Sequence, residues 1–222
     1  AASDVYKRQV VNLAIANDWM HKNPFAGIRF QEKEVIREVL TKEEIERMMC
    51  KEFALPRLEY VRDVFIFCVF TGMAYVDVNN LRQEHIVRDN NDDLWIRKAR
   101  QKTNNMCNIP LLKIPQLLME KYKNHPLCTK TGALLPVPSN QKMNSYLKEI
   151  ADFCGIQKNL TTHTARHTFA TVVALANGVS MENIAKMLGH SDIRMTQRYA
   201  KVMDSSIMRD MENVDKLFKS SE

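Results

Sequence analysis

His163-Thr164-Ala165-Arg166-His167-Thr168-Phe169-Ala170-Thr171 sets a cation at the edge of an apolar stripe. Continued as a helix, the stretch places Ala165, Phe169, Val172, Val173 and Ala176 on one side, with Arg166 flanking them. Positions three apart on a helix share a side, so His163 and Arg166 can face one anion together. A cation at the margin of a core needs a partner; a phosphate oxygen would serve, and so would an internal carboxylate. Further on, Leu188-Gly189-His190-Ser191 reads as a helix end, with Gly189 as the cap that turns His190 in a new direction. Tyr199 follows nine residues after that histidine. Alone, the glycine–histidine pair is an ordinary helix end, and the tyrosine an ordinary packing residue with a wet hydroxyl.

Working outward, helical patterning covers most of the chain. Upstream, Thr41-Lys42-Glu43-Glu44 is a capping box that predicts a helix to about Cys50. A second helix is expected from Leu58 to Thr71, stopped by Gly72, and a shorter one over Val76–Leu81. The pattern then changes. Ile86-Val87, Leu94-Trp95-Ile96 and Asn108-Ile109-Pro110-Leu111 are short apolar runs separated by Asp89–Asp93 and Lys102–Asn105, which predicts a small antiparallel sheet. Helices are expected again over Ile114–Tyr122, Ser139–Phe153, Thr164–Ala176, Met181–Leu188, Ile193–Tyr199 and Ser205–Phe218. The fold class is therefore mostly α with one small antiparallel β-sheet (α+β). Near the start, Val10–Met20 suits the last helix of something larger, ended by Asn23-Pro24, and Gln31–Val39 reads as a charged linker. Asp4–Gln9 resembles the translation of a transposase mosaic end used in sequencing-library adaptors, so residues 1–9 are expected to be foreign to the natural chain.

The composition narrows the function classes. In 222 residues, 45% are hydrophobic, enough for a real core, and no run approaches the ~18 apolar residues of a membrane helix. A net charge of +6 leans towards an anionic partner. Cys50, Cys68, Cys107, Cys128 and Cys154 are odd in number and never spaced as CxxC, which argues for free thiols in a reducing cytosol and against a disulfide framework or zinc ribbon. His163 and His167 are four apart, a spacing that can bind zinc, but no third ligand stands at a sensible spacing. Neither a metal nor a cofactor is expected, and no two-metal carboxylate arrangement is visible.

Together, HTARHTFAT at 163–171 and LGHSDIRMTQRYAKV at 188–202 closely resemble the signature of the tyrosine recombinase (phage integrase) family, integrases of conjugative elements included. Phe70-Thr71-Gly72-Met73, Lys102-Thr103 and Asn23-Pro24-Phe25 fall where that family has further motif positions. The resemblance covers roughly residues 10–215. It implies the catalytic-domain fold of that family over residues 31–222, with residues 10–30 a remnant of a core-binding helical domain. It also implies a site-specific recombinase that breaks and rejoins DNA through a 3′-phosphotyrosine, integrating or excising a mobile element. The alternatives are an impaired DNA-binding remnant and strand relaxation like that of a type IB topoisomerase. By position, Tyr199 would be the nucleophile, Arg166 a phosphate clamp, His163 and His190 partners of the phosphoryl oxygens, and Lys102 the general acid for the leaving 5′ oxygen. The expected partners are double-stranded attachment sites and further protomers, in a tetramer joined through the C-terminal segment, in a nucleoid-associated cytoplasmic setting.

One position departs from the family pattern. Where most of the family has a second arginine after Thr-Gly-apolar, this chain has Ala74. A TG-apolar-A-Y segment resembles a subset of conjugative-element integrases, which points to a substitute cation. Arg100 is the preferred one, because side chains alternate along a strand and it would share a face with Lys102 if the strand reaches that far. Arg82 is the second choice, roughly 12 Å along the helix axis from Ala74. Arg97 should point away, and with Lys98 and Arg100 it forms a basic cluster suited to phosphate contact. Asp77 stands at a family acidic position, where it either orients a cation or caps the short helix. After Tyr199, the stripe of Ile207, Met211, Val214 and Phe218 either packs on its own domain or is exchanged with a neighbour.

Overall fold

Thr41 Oγ1 accepts from the Glu44 amide (3.2 Å) while the Glu44 carboxylate accepts from the Thr41 amide (2.7 Å), so the capping box forms as read. The structure, a computed structural model, describes residues 2–26 and 38–200. The expected helix Ser205–Phe218, its apolar stripe and most of the Gln31–Val39 linker lie outside the described residues.

The chain divides into two units, one ending at Ile36 and the other beginning at Arg37. In the first, helix α1 spans Ala2–Ala16, earlier than the expected Val10–Met20. Its end is set by Asp18, in the left-handed region at φ +58°, and by the Trp19 amide donating back to the Ala14 carbonyl (2.9 Å). The Asn23-Pro24 stop is therefore not needed.

The second unit runs α2 (Lys42–Cys50), α3 (Pro56–Thr71), α4 (Tyr75–Asn79), β1 (Ile86–Arg88), β2 (Leu94–Ala99), β3 (Met106–Pro110), α5 (Lys113–Tyr122), α6 (Pro126–Thr131), α7 (Asn140–Phe153), α8 (Thr162–Thr168), α9 (Met181–Leu188) and α10 (Arg194–Ala200). The three strands form one antiparallel sheet in the order β1-β2-β3, with Ile96 opposite Ile109 and Lys98 opposite Cys107. Ile96, Cys107 and Ile109 are buried, so this face is the inner one.

Helix α3 is the axis of the domain. Every residue from Val61 to Val69 is buried, and α2, α5, α7 and α8 all pack on it. Two of these buried residues are charged, and both are satisfied. Arg62 Nη1 donates to the carbonyls of Met48, Met49 and Lys51 (3.0, 3.1 and 2.8 Å), closing the C-terminal end of α2. Asp63 accepts from the Arg62 guanidinium, from Lys121 Nζ (2.7 Å) and from the Tyr122 hydroxyl (2.7 Å). Burial and this carboxylate push the Tyr122 phenol well above its ordinary range.

The single helix expected over Thr164–Ala176 is corrected. Regular α geometry stops at Thr168, continues as a π-helical segment Phe169–Ala174, and closes as a 3₁₀ turn Leu175–Asn177. The widened ladder coincides with a tight approach between segments. A Cβ on Gly72, at φ +67°, would lie 2.4 Å from Phe169 Cδ1 and 2.8 Å from Leu188 Cδ2. Only glycine provides both that conformation and that clearance. The α3 end, the start of the π segment and the end of α9 thus meet at one point.

Candidate active site

Arg166 points inward from α8 with 7% of its surface exposed. Its Nη1 donates to the Gly72 carbonyl (2.6 Å) and its Nη2 to the Leu188 carbonyl (2.6 Å), two acceptors left open by the ends of α3 and α9. Nη2 also lies 3.3 Å from His190 Nε2. Burial, and then the neighbouring Arg100, lower the Arg166 pKa from its ordinary value. His190 is carried just past Gly189, which caps α9 at φ +60°. Its other nitrogen, Nδ1, lies 2.8 Å from Thr196 Oγ1. Desolvation, with Arg166 and Arg100 beside it, brings the His190 pKa down to about 4.

Tyr199 is 9% exposed, in an apolar cluster with Phe169, Ala170, Ala174, Ile184 and Leu188. Its ring lies between two imidazoles, His190 stacked at 6.3 Å (10° between planes) and His167 tilted at 5.2 Å (58°). The structure therefore gathers Arg166, His190 and Tyr199. His163 shares α8 with Arg166 but sits on its exposed side.

Arg100 is brought to the same place. Strand β2 ends at Ala99, so the expected strand face shared with Lys102 is corrected: Lys102 lies exposed on the turn that follows. Arg100 instead continues the inward side of Ile96 and Lys98. Its stem lies over Gly189, where a Cβ would meet Arg100 Cδ and Cys107 Sγ at 2.7 Å each. Its Nε is 3.8 Å from the buried Asp77 carboxylate and has no hydrogen-bond partner among the described residues. Asp77 also accepts from the Gln101 amide (3.0 Å), and Asn105 Nδ2 donates to the Gly189 carbonyl (3.2 Å), tying the turn to α4 and to the α9 cap. Of the two roles open to Asp77, the cation-facing one is built.

Arg82 is turned elsewhere. Its Nη1 donates to the Asn79 and Leu81 carbonyls (3.0 and 3.1 Å), and its backbone bridges to Ala133. Arg97 is exposed, as alternation requires. Lys98 is half-buried, 3.0 Å from His85 Nε2, and lines a cavity of about 10 Å³ with Asp77, Cys107 and Arg166, room for one water. A larger cleft of about 970 Å³ opens beside β1, α5 and α6 and includes none of the clustered residues. Sequence reasoning missed two contacts, His167 on Tyr199 and Thr196 on His190. Their spacing to Arg166 and Tyr199 is visible in the sequence, but nothing there says which way the rings turn.

The His190 shift carries a stability prediction. An unfolded chain takes up a proton on this ring as pH falls through about 6.5, whereas the folded ring resists until about 4. The unfolded state thus binds more protons in that window, and the contribution is lost progressively as pH drops across it. In urea unfolding between pH 7 and 4.5, His190→Gln should lose less stability than the parent over the same interval; parallel losses would count against it.

Residues 38–206 match the model of the phage integrase family, and the chain belongs to that family. It is similar to the tyrosine recombinase XerD of Staphylococcus saprophyticus subsp. saprophyticus, 40% identical over 95 residues, which is 43% of this chain and 31% of that protein. The XerD of Staphylococcus aureus (strain Mu50) is 42% identical over 71 residues, 32% of this chain and 24% of that one. The matched stretches thus span a third or less of these relatives' length. Among solved structures, a lambda integrase dimer bound to a core site aligns with a TM-score of 0.66 at 18% identity, covering 86% of this chain and 69% of that one. The Tn1549 transposon integrase in complex with circular intermediate DNA aligns at 0.64 and 17%, covering 92% and 75%. The mostly helical fold with its three-stranded antiparallel sheet is that of tyrosine recombinase catalytic domains.

Proposed function

We propose that this domain breaks and rejoins DNA strands at specific sites through a covalent 3′-phosphotyrosine on Tyr199, in the integration or excision of a mobile element. The observation that carries the reading is the convergence of Arg166, Arg100, His190 and Tyr199 where the ends of α3, β2 and α9 meet α10. A phenol is a weak nucleophile near neutral pH unless cations favour loss of its proton. In-line attack by Tyr199 Oη, with its phenol proton released to water, forms the new P–O bond and breaks the bond to the 5′ oxygen, which leaves with a proton from Lys102. Charge gathers on the non-bridging oxygens, which Arg166 and Arg100 would stabilise and where His163 would add a contact. The reverse attack by a 5′ hydroxyl restores the diester with no outside energy source.

In this scheme Arg100 takes the role of the arginine expected at Ala74, held by Asp77 and seated on Gly189. Arg100→Ala should slow single-turnover cleavage by about 10²–10³-fold, with most of the DNA affinity kept; an unchanged rate would return the role to another cation. Arg97 and Lys98 would contact the DNA backbone. Attachment-site duplexes are the partners, with residues 10–30 the exit from a core-binding domain and protomers assembling as a tetramer through the C-terminal segment. The named relatives, a transposon integrase on circular intermediate DNA among them, support recombination over simple strand relaxation. The test is to incubate the chain with supercoiled plasmid, denature it in SDS, digest it, and look by mass spectrometry for the Tyr199 peptide carrying nucleotides through a phosphate. Recovery of that peptide is expected. Its absence both here and in a chain extended by an upstream helical domain would favour the DNA-binding remnant.

A further inference from the structure

Taking His190 as part of the reaction centre proposed above, we propose that Thr196 is a positioning residue that fixes the tautomer of His190. It holds the ring hydrogen on Nδ1 and leaves Nε2 as the proton-accepting atom of the site.

The donors and acceptors around the ring determine the arrangement. Arg166 Nη2 lies 3.3 Å from Nε2, and a guanidinium can only donate. Nε2 must therefore present its lone pair. In a neutral imidazole the hydrogen then sits on Nδ1, and the atom 2.8 Å from Nδ1 is Thr196 Oγ1, which accepts. The opposite tautomer would direct an N–H at a guanidinium N–H. A doubly protonated ring would meet the same conflict, with Arg100 adding a second positive charge nearby. The charged and titratable groups around the ring are Arg166 from α8, Arg100 from the end of β2 and Tyr199 from α10, with Asp77 and Cys107 behind the two arginines. Burial among these cations keeps the ring uncharged near neutral pH.

Thr196 is suited to this task because it is fully enclosed, at 0% exposure, so no bulk water replaces its hydroxyl. It stands three residues before Tyr199, on the same side of α10, and the helix that carries the nucleophile also sets the chemistry of the histidine. The consequence concerns direction. A ring with hydrogen on Nε2 would donate to a phosphoryl oxygen as it stands. This ring instead presents an acceptor at Nε2, taken up here by the Arg166 N–H, and its plane lies nearly parallel to the Tyr199 ring with centroids 6.3 Å apart.

Nitrogen-15 NMR of the histidine-labelled 222-residue chain reads the tautomer directly, with the His190 signals assigned by their loss in His190→Gln. The expected pattern is a protonated, pyrrole-like Nδ1 and a pyridine-like Nε2. Thr196→Ser should preserve it, whereas the isosteric Thr196→Val, which cannot accept, should shift the ring towards the other tautomer. Cleavage by Thr196→Val should fall by about 10–10²-fold in kcat with KM for DNA little changed, and Thr196→Ser should restore it. A pyridine-like Nδ1 in the parent, or a Thr196→Val spectrum identical to the parent's, overturns the proposal. Beyond the folded His190→Gln used for assignment, the parent spectrum needs no DNA, so it decides this point separately from the phosphotyrosine test.

Discussion

Tyr199→Phe should form no covalent DNA adduct, a loss on the order of 10⁴-fold or more in strand cleavage, while unfolding at nearly the parent's temperature. The two halves of that expectation come from different atoms. The ring supplies the packing: it lies between His167 and His190 and against Phe169, Ile184 and Leu188, and phenylalanine keeps all of it. The hydroxyl supplies the chemistry and makes no hydrogen bond to another described residue, so its removal should change stability by less than about 0.5 kcal/mol. SDS-resistant adduct on plasmid DNA and thermal unfolding, measured on the same preparations, check both. An adduct that persists in Tyr199→Phe would move the nucleophile to another side chain.

Arg166→Ala should damage both properties at once. Its guanidinium satisfies the Gly72 and Leu188 carbonyls, so truncation leaves buried acceptors open, at about 1–3 kcal/mol each before relaxation. In a domain of this size each kcal/mol lowers the melting temperature by about 2–4 °C, and a fall of several degrees is expected. Cleavage should drop by at least about 10²–10³-fold, since a charge-stabilising donor disappears with the structural one. Arg166→Lys separates the two. A lysine can reach one carbonyl and keeps the charge, but it cannot offer two parallel N–H groups to a phosphate. It should recover part of the stability and little of the rate. If Lys restores cleavage fully, bidentate phosphate binding is not what Arg166 provides.

The sequence made the element order readable because its signals are local. The capping box at Thr41, Gly72 after a run of apolar residues, and the turn residues between strands each act within a few positions, and the elements form where expected. Helix α6 is not among the expected elements, although Pro126 at its first turn and Gly132, at φ +70°, bracket it in the sequence. The π segment was illegible for a different reason: it coincides with the approach of Phe169 to Gly72, nearly a hundred residues away in the chain, and helical periodicity cannot report that. At the site, the motif residues Arg166, His190 and Tyr199 were visible. Strand alternation favours Arg100, which does face inward, but the strand does not reach far enough for Lys102 to share its face, since β2 stops at Ala99. His167 acquires meaning only once Tyr199 on α10 reaches α8, and Thr196 only once the turn after Gly189 lays His190 against α10.

Gly72 binds three segments into a single heritable unit. A Cβ there would run into Phe169 and Leu188, and the Gly72 carbonyl receives Arg166. A lineage that drifts at any one of these positions alone disturbs the other two together with the cation they frame. Change there must therefore arrive as matched sets, a smaller ring at position 169 or a shorter side chain at position 188 preceding any Cβ at position 72. Across descendants of this chain the three sites should look frozen until they move in concert, while the exposed turn around Lys102 diverges freely, apart from the lysine itself.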